Sequence, residues 1–160
     1  MQKLSLSYIK SETNDLSAVL VKAVNAPILT YPEICKVDRQ GLYIIFDDHE
    51  ILYAGKTNRT GKIRMQELAS DFRSHTFNKK LLTARFKDLG FVFEVLKNET
   101  KKLWIEQGTI SKEDFKAHQR EVNIYIKKSL KFKFYKEQNK EKLISLEHFA
   151  IAILNPMYND

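Results

Sequence analysis

Between Gly41 and Thr57 the chain reads GLYIIFDDHEILYAGKT. Two β-branched and aromatic runs, GLYIIF and EILYAG, flank the acidic break Asp47-Asp48-His49, the signature of a β-hairpin. Alternation along a strand lets Tyr43 and Tyr53 share one face, provided the turn pairs the two runs closely. Downstream, LKFKFYK at 130–136 alternates cleanly, with Leu130, Phe132 and Phe134 on one side and Lys131, Lys133 and Tyr135 on the other. It reads as a half-buried strand with a basic outer row. FVFEVL at 91–96 is a further candidate strand.

The rest of the chain carries helical signals. DLSAVLVKAVNA (15–26) reads as a short helix stopped by Pro27, and TYPEICKVDRQ as a connector. In GKIRMQELASDF, helical spacing puts Ile63, Leu68 and Phe72 on one side. SHTFNKKLLTARFKDLG restarts as a helix that Ser74 or Thr76 caps and Gly90 ends. SKEDFKAHQREVNIYIKKS opens with Ser111 and Asp114 in a weak capping-box match and carries Phe115, Val122 and Ile126 on one face. KEKLISLEHFAIAILNP is a helix that stops at Pro156. Trp104 and Phe115 read as core rather than as platforms for stacked bases.

Composition narrows the function classes. With 160 residues and 43% hydrophobic content, the chain suits one domain with a single core. A net charge of +7 favours polyanionic partners, nucleic acid first and anionic membrane second. Cys35 is the only cysteine, so no internal disulfide forms and a reducing compartment is expected. No signal peptide is recognisable, and the longest apolar run, FAIAIL, is too short to cross a bilayer. The expected setting is the cytoplasm, with no membrane contact.

Several chemistries drop out. A phosphate loop needs a glycine five residues before Gly55, where this chain has Glu50. The four histidines and Cys35 are scattered, without zinc-ligand spacing, and no serine sits in a nucleophile-elbow context. Glu147 stands out. On the final helix it falls on the stripe of Ala150, Ile151 and Leu154, and a carboxylate among core-facing residues needs a cation, a metal or a cleft. Any metal here is expected to be a hard cation on oxygen ligands, with Glu147 as its one protein carboxylate.

In order, the chain carries Gly41-Leu42-Tyr43, Tyr53-Ala54-Gly55, Lys56, Arg64 in a helix, and far downstream Glu147, Pro156 and Asn159. This set resembles the GIY-YIG nuclease superfamily, over about 41–75 and 130–159. The second tripeptide departs from the family pattern in its middle residue, and Arg59 and Arg73 compete with Arg64 for the arginine position. The resemblance implies an α+β fold: a small three-stranded antiparallel sheet flanked by helices. Residues 1–40 become an N-terminal extension packed on a 41–159 nuclease domain, and about 77–128 a mostly helical insertion. LKFKFYK is taken as the third strand, with FVFEVL as the competing register.

The resemblance also implies a divalent-metal-dependent endonuclease acting on nucleic acid, DNA foremost. Glu147 would hold a single Mg²⁺ or Mn²⁺, and Arg64 would clamp a phosphate oxygen. Tyr43 would be the general base, with Lys56 supplying the charge that lowers its phenol, and Tyr53 would orient the water or phosphate. His75 is a candidate second base or phosphate donor. Asn159 would tie the glutamate helix to the site or touch a phosphate, while Lys79, Lys80, Lys131 and Lys133 would track the backbone. The two phenols, the guanidinium and Glu147 are expected to converge on one metal-and-phosphate niche. The alternative is a non-catalytic nucleic-acid-binding module of the same fold. Asp160 follows the site motif directly, so specificity is expected from 1–40, the insertion, dimerisation or a protein partner rather than from a C-terminal DNA-reading domain.

Overall fold

The structure, a computed structural model, describes residues 5–159. Its sheet is three-stranded and antiparallel: β1 (Gly41–Phe46), β2 (Ile51–Thr57) and β3 (Lys131–Lys136), in the spatial order β2-β1-β3. The hairpin closes because the Asp47 carboxylate accepts the backbone N–H groups of His49 (2.8 Å) and Glu50 (2.9 Å), an Asx turn. Both sheet edges are covered. Met157 and Tyr158 donate backbone N–H groups to Ile51 and Leu52 of β2, and Leu29 bridges Phe132 of β3.

Seven helices flank this sheet among the described residues, making the fold α+β. Ahead of it lie α1 (Leu6–Val24) and the single turn α2 (Tyr31–Ile34). Between β2 and β3 come α3 (Gly61–Leu68), α4 (Thr76–Asp88), α5 (Asn98–Glu106) and α6 (Lys112–Lys128). The last helix is α7 (Lys140–Leu154), which ends at Asn155 in the left-handed region (φ 44°) just before Pro156. No helix among the described residues is long and apolar enough to cross a membrane.

The two faces of the sheet bury separate layers. Tyr43, Ile45, Tyr53 and Phe132 pack on Met65, Phe72, Phe77, Phe86 and Ile126 from α3 to α6 and their connections. Leu42, Ile44 and Ala54 pack on Val19, Leu20 and Ala23 of α1 and on Leu143, Leu146 and Ala150 of α7. Residues 77–128 are therefore part of the core rather than a lobe set apart from it. Trp104 of α5 and Phe115 of α6 are buried there, in edge-to-face and tilted contacts with Phe86. Three amides lock this region to the sheet side. Asn78 donates to Leu68 O, Gln119 accepts Phe72 N–H, and Asn123 donates to Ser70 O, so α4 and α6 together hold the turn after α3.

The structure corrects several expectations. The first helix begins at Leu6, well before Asp15; Ser5 caps it, and its first turns lie in solvent, Leu6 and Ile9 included, so no buried apolar stripe announces them. Ile63 does not share a buried face with Leu68; it is 42% exposed, and Met65 packs inward instead. Residues 91–96 form no strand, and β3 is the LKFKFYK segment. The row of Lys133 and Tyr135 is not an outer one, because α1 and α7 cover that face of the sheet.

Candidate functional site

The hairpin register sets Tyr43 opposite Gly55 and Ile45 opposite Tyr53, so both phenols lie on the α3–α4 face. Gly55 is there because Tyr43 lies across it. A β-carbon on Gly55 would come within 2.6 Å of the Tyr43 hydroxyl and 2.8 Å of the Tyr53 ring. The two rings stack with centroids 6.2 Å apart.

Tyr43, at 0% exposure, is the hub of the cluster. His75 Nε2 lies 2.9 Å from its hydroxyl, and Arg64 Nε donates to the same oxygen at 3.3 Å. His75 is also the N-cap of α4, a role expected of Ser74 or Thr76: its Nδ1 accepts Phe77 N–H at 3.1 Å. That bond fixes the tautomer. With Nδ1 accepting, a neutral imidazole carries its proton on Nε2 and donates it to Tyr43. At rest, then, His75 is a donor to the phenol and has no free nitrogen with which to act as a base. The Tyr43 oxygen accepts from two sides.

Burial pushes the Tyr43 phenol well above its usual range; Arg64 pulls it down, and Tyr53 and Glu147 push it up. It is protonated at neutral pH in this arrangement. Burial, together with the Arg64 charge, pushes the His75 imidazole down to about 3 from 6.5. An unfolded histidine takes up a proton near 6.5 while the folded one refuses it. The stability due to the neutral ring is thus whole above pH 6.5 and is lost as pH falls toward 3. Urea unfolding at pH 7 and pH 5 should show a loss in wild type about 2 kcal/mol larger than in His75→Gln. Equal losses in the two proteins would rule out a buried neutral His75.

Of the three candidate arginines, Arg64 is the one bonded to Tyr43. Its Nη1 donates to Glu67 at 3.1 Å, and Arg59 donates to the same carboxylate at 2.7 Å, while Arg73 pairs with Asp71. Glu67 was missed in the sequence, although an opposite charge three residues along a helix is a readable signal.

Lys56 is not beside the phenol. Gly55 shares a face with Tyr43, so Lys56, one residue on, points to the opposite face. There its ammonium pairs with Glu147 Oε2, and its backbone N–H donates to Glu147 Oε1 at 2.9 Å. Glu147 sits at the flank of the buried α7 stripe with its side chain 15% exposed. The four expected groups therefore do not share one face. Tyr43, Tyr53 and Arg64 gather on one side of β2 and Glu147 on the other, close enough for its charge to act on the Tyr43 phenol.

The remaining candidates make no bond to the Tyr43 hydroxyl. Asn159 accepts Ala54 N–H through Oδ1 and donates to Ala54 O through Nδ2, both at 2.8 Å, so its amide is spent on the edge of β2 rather than offered to a phosphate. Lys131 pairs with Asp48 at the hairpin turn, the far end of β1 from Gly41. Lys133 donates to the carbonyl of Val24 at the end of α1, where a cation suits the helix dipole. Lys79 and Lys80 line a cavity against α4.

Among the described residues no group of three or more His, Cys, Asp or Glu side chains forms a ready metal cage. A hard divalent ion at Glu147 would have that one carboxylate as its protein ligand, and Lys56 already holds the carboxylate's charge. Compared with models of known families, with curated proteins and with solved structures, the chain matches none.

Proposed function

We propose that the chain is a GIY-YIG-type nuclease: a divalent-metal-dependent endonuclease that hydrolyses phosphodiester bonds in nucleic acid, DNA foremost, in the cytoplasm. The observation that carries this reading is the convergence of His75 Nε2 and Arg64 Nε on the Tyr43 hydroxyl, with Glu147 within electrostatic reach across β2. Both contacts are donors to one buried phenol oxygen. They favour the phenolate, which burial alone would forbid.

Glu147 would hold Mg²⁺ or Mn²⁺. The chemistry such an ion would supply is neutralisation of phosphate charge and a lowered pKa of bound water. Arg64, oriented by Glu67, presents a planar cation at the rim of the phenol cluster, where it can neutralise a phosphate oxygen. His75 holds the Tyr43 oxygen in place from below. Tyr43 keeps its proton at rest, because burial outweighs the pull of the Arg64 charge on its phenol. Tyr53 packs against both Tyr43 and His75 and fixes their rings.

A second reading keeps the fold and the nucleic-acid partner without catalysis. It is favoured by the full burial of Tyr43 and by the ion pair that neutralises Glu147. The two readings separate in one assay, in which single-stranded, duplex and branched DNA and RNA are incubated with Mg²⁺, Mn²⁺ or chelator. Internal cleavage in the metal lanes and none with chelator is expected. Salt-sensitive retention of nucleic acid without cutting would leave the binding module.

A further inference from the structure

Beside His75, along the outer side of α4, two cavities of about 330 and 620 Å³ share Thr76, Lys79 and Leu96, and so form one groove. His75 and Phe72 line its end at the phenol cluster, and Tyr158 lines the other end. Helical spacing supplies one wall, since Thr76, Lys79, Lys80, Thr83 and Lys87 recur every three or four residues along α4. Lys97, from the connection into α5, adds a further cation to the lining. Val95 and Tyr158 give the groove its accessible apolar side, Leu96 being buried, and Glu94 is its acidic residue. None of the ion pairs among the described residues engages Lys79, Lys87 or Lys97, whereas Lys131 and Arg73 are both neutralised by neighbours.

We propose that this groove holds a single strand of nucleic acid running from the Tyr43–His75–Arg64 cluster along α4. Its phosphates lie on Lys79, Lys87 and Lys97, and its unstacked bases rest on Val95 and Tyr158. The inference rests on the nucleic-acid reading above and deepens it by naming the form of substrate. Charge complementarity selects a polyanion. The apolar side selects a single strand, because a duplex keeps its base faces stacked inside and offers such a wall nothing to bury. Contact with the candidate site is direct: the imidazole that lines the groove donates to the Tyr43 hydroxyl.

The test is fluorescence anisotropy in chelator with a labelled oligothymidylate strand and a duplex of equal length, comparing wild type with the double variant Lys79→Glu/Lys97→Glu. The control is Lys10→Glu/Lys22→Glu, which makes the same charge change on exposed positions of α1, the helix on the opposite face of the sheet. The groove variant should bind the single strand at least tenfold more weakly, with its salt slope flatter by about 1.4 for two lost phosphate contacts. The control should bind as wild type does. Unchanged single-strand binding in the groove variant overturns the proposal, and so does a duplex bound as tightly as the strand with equal sensitivity to the two lysines. Photocrosslinks from a bromodeoxyuridine strand to wild type should map to 92–97 or Tyr158; crosslinks confined to other segments overturn it independently of any variant. The nuclease reading fails separately. Groove binding without cleavage in any metal leaves the groove and removes catalysis, whereas undiminished cleavage and binding in the groove variant remove the groove alone.

Discussion

With glutamine in place of Glu147, metal-dependent cleavage is expected to fall at least about a thousandfold, while binding of a strand in chelator stays within about twofold of wild type. Glutamine keeps the length of the side chain and a carbonyl oxygen for Lys56 N–H, so the contact between α7 and β2 survives. What it removes is the charge, and a neutral amide as the one protein ligand holds a hard divalent ion far more weakly than a carboxylate does. Lys56 then loses its partner, but its side chain is 28% exposed and can turn its ammonium to water, so the fold should hold. Plasmid nicking at matched protein and metal concentrations reads the effect, with urea unfolding as the check on folding. Cutting by Glu147→Gln at the wild-type rate would remove Glu147 from the chemistry. The resting ion pair would then be its whole role, and the binding-module reading would stand.

What the sequence announced, and what it hid, divides along a physical line. The hairpin, β3, α6 and α7 were legible because each carries a periodicity with one apolar side, and that pattern reports burial directly. The first turns of α1 were not, because a helix that reaches into solvent shows no stripe. FVFEVL has the composition of a strand, yet strand formation needs a free edge. Here Met157 and Tyr158 occupy the edge of β2, and Leu29 that of β3. No local pattern records that competition. In the candidate site, the ordered motif names Tyr43, Tyr53 and Arg64, the resemblance adds His75, and the structure brings the four together. Lys56 was misplaced because nearness in sequence was taken for nearness in space, although strand alternation sends it to the opposite face. The single-residue step from Gly55 to Lys56 is what separates the phenol side from the carboxylate side. Asn159, expected from the resemblance to tie the glutamate helix to the site or touch a phosphate, commits its amide to the Ala54 backbone of β2, and Lys133, expected to track phosphates, donates to the Val24 carbonyl; only the folded chain brings those backbone groups near.

Gly55→Ala is expected to destabilise the protein by about 3 kcal/mol and to lower cleavage at least about a hundredfold, through one added methyl group. That methyl would sit 2.6 Å from the Tyr43 hydroxyl oxygen, 2.7 Å from its Cζ and 2.8 Å from Tyr53 Cε1. None of the three atoms belongs to a flexible side-chain end, because Tyr43 is clamped by His75 and Arg64 and Tyr53 is packed on Phe77 and His75. To make room the Tyr43 ring must swing away from β2, which breaks both hydrogen bonds to its oxygen and opens a gap beneath α3. The stability loss comes from overpacking and the activity loss from a displaced phenol, so the two are separable. Adding Tyr43→Leu, a shorter side chain, to Gly55→Ala should restore part of the stability, with a coupling of about 1–3 kcal/mol, while cleavage stays absent. If the two substitutions instead add without coupling, the ring and the glycine do not meet. If cleavage returns with leucine at position 43, the phenol has no part in the chemistry and the donors gathered on its oxygen serve only to hold α3 and α4 against the sheet.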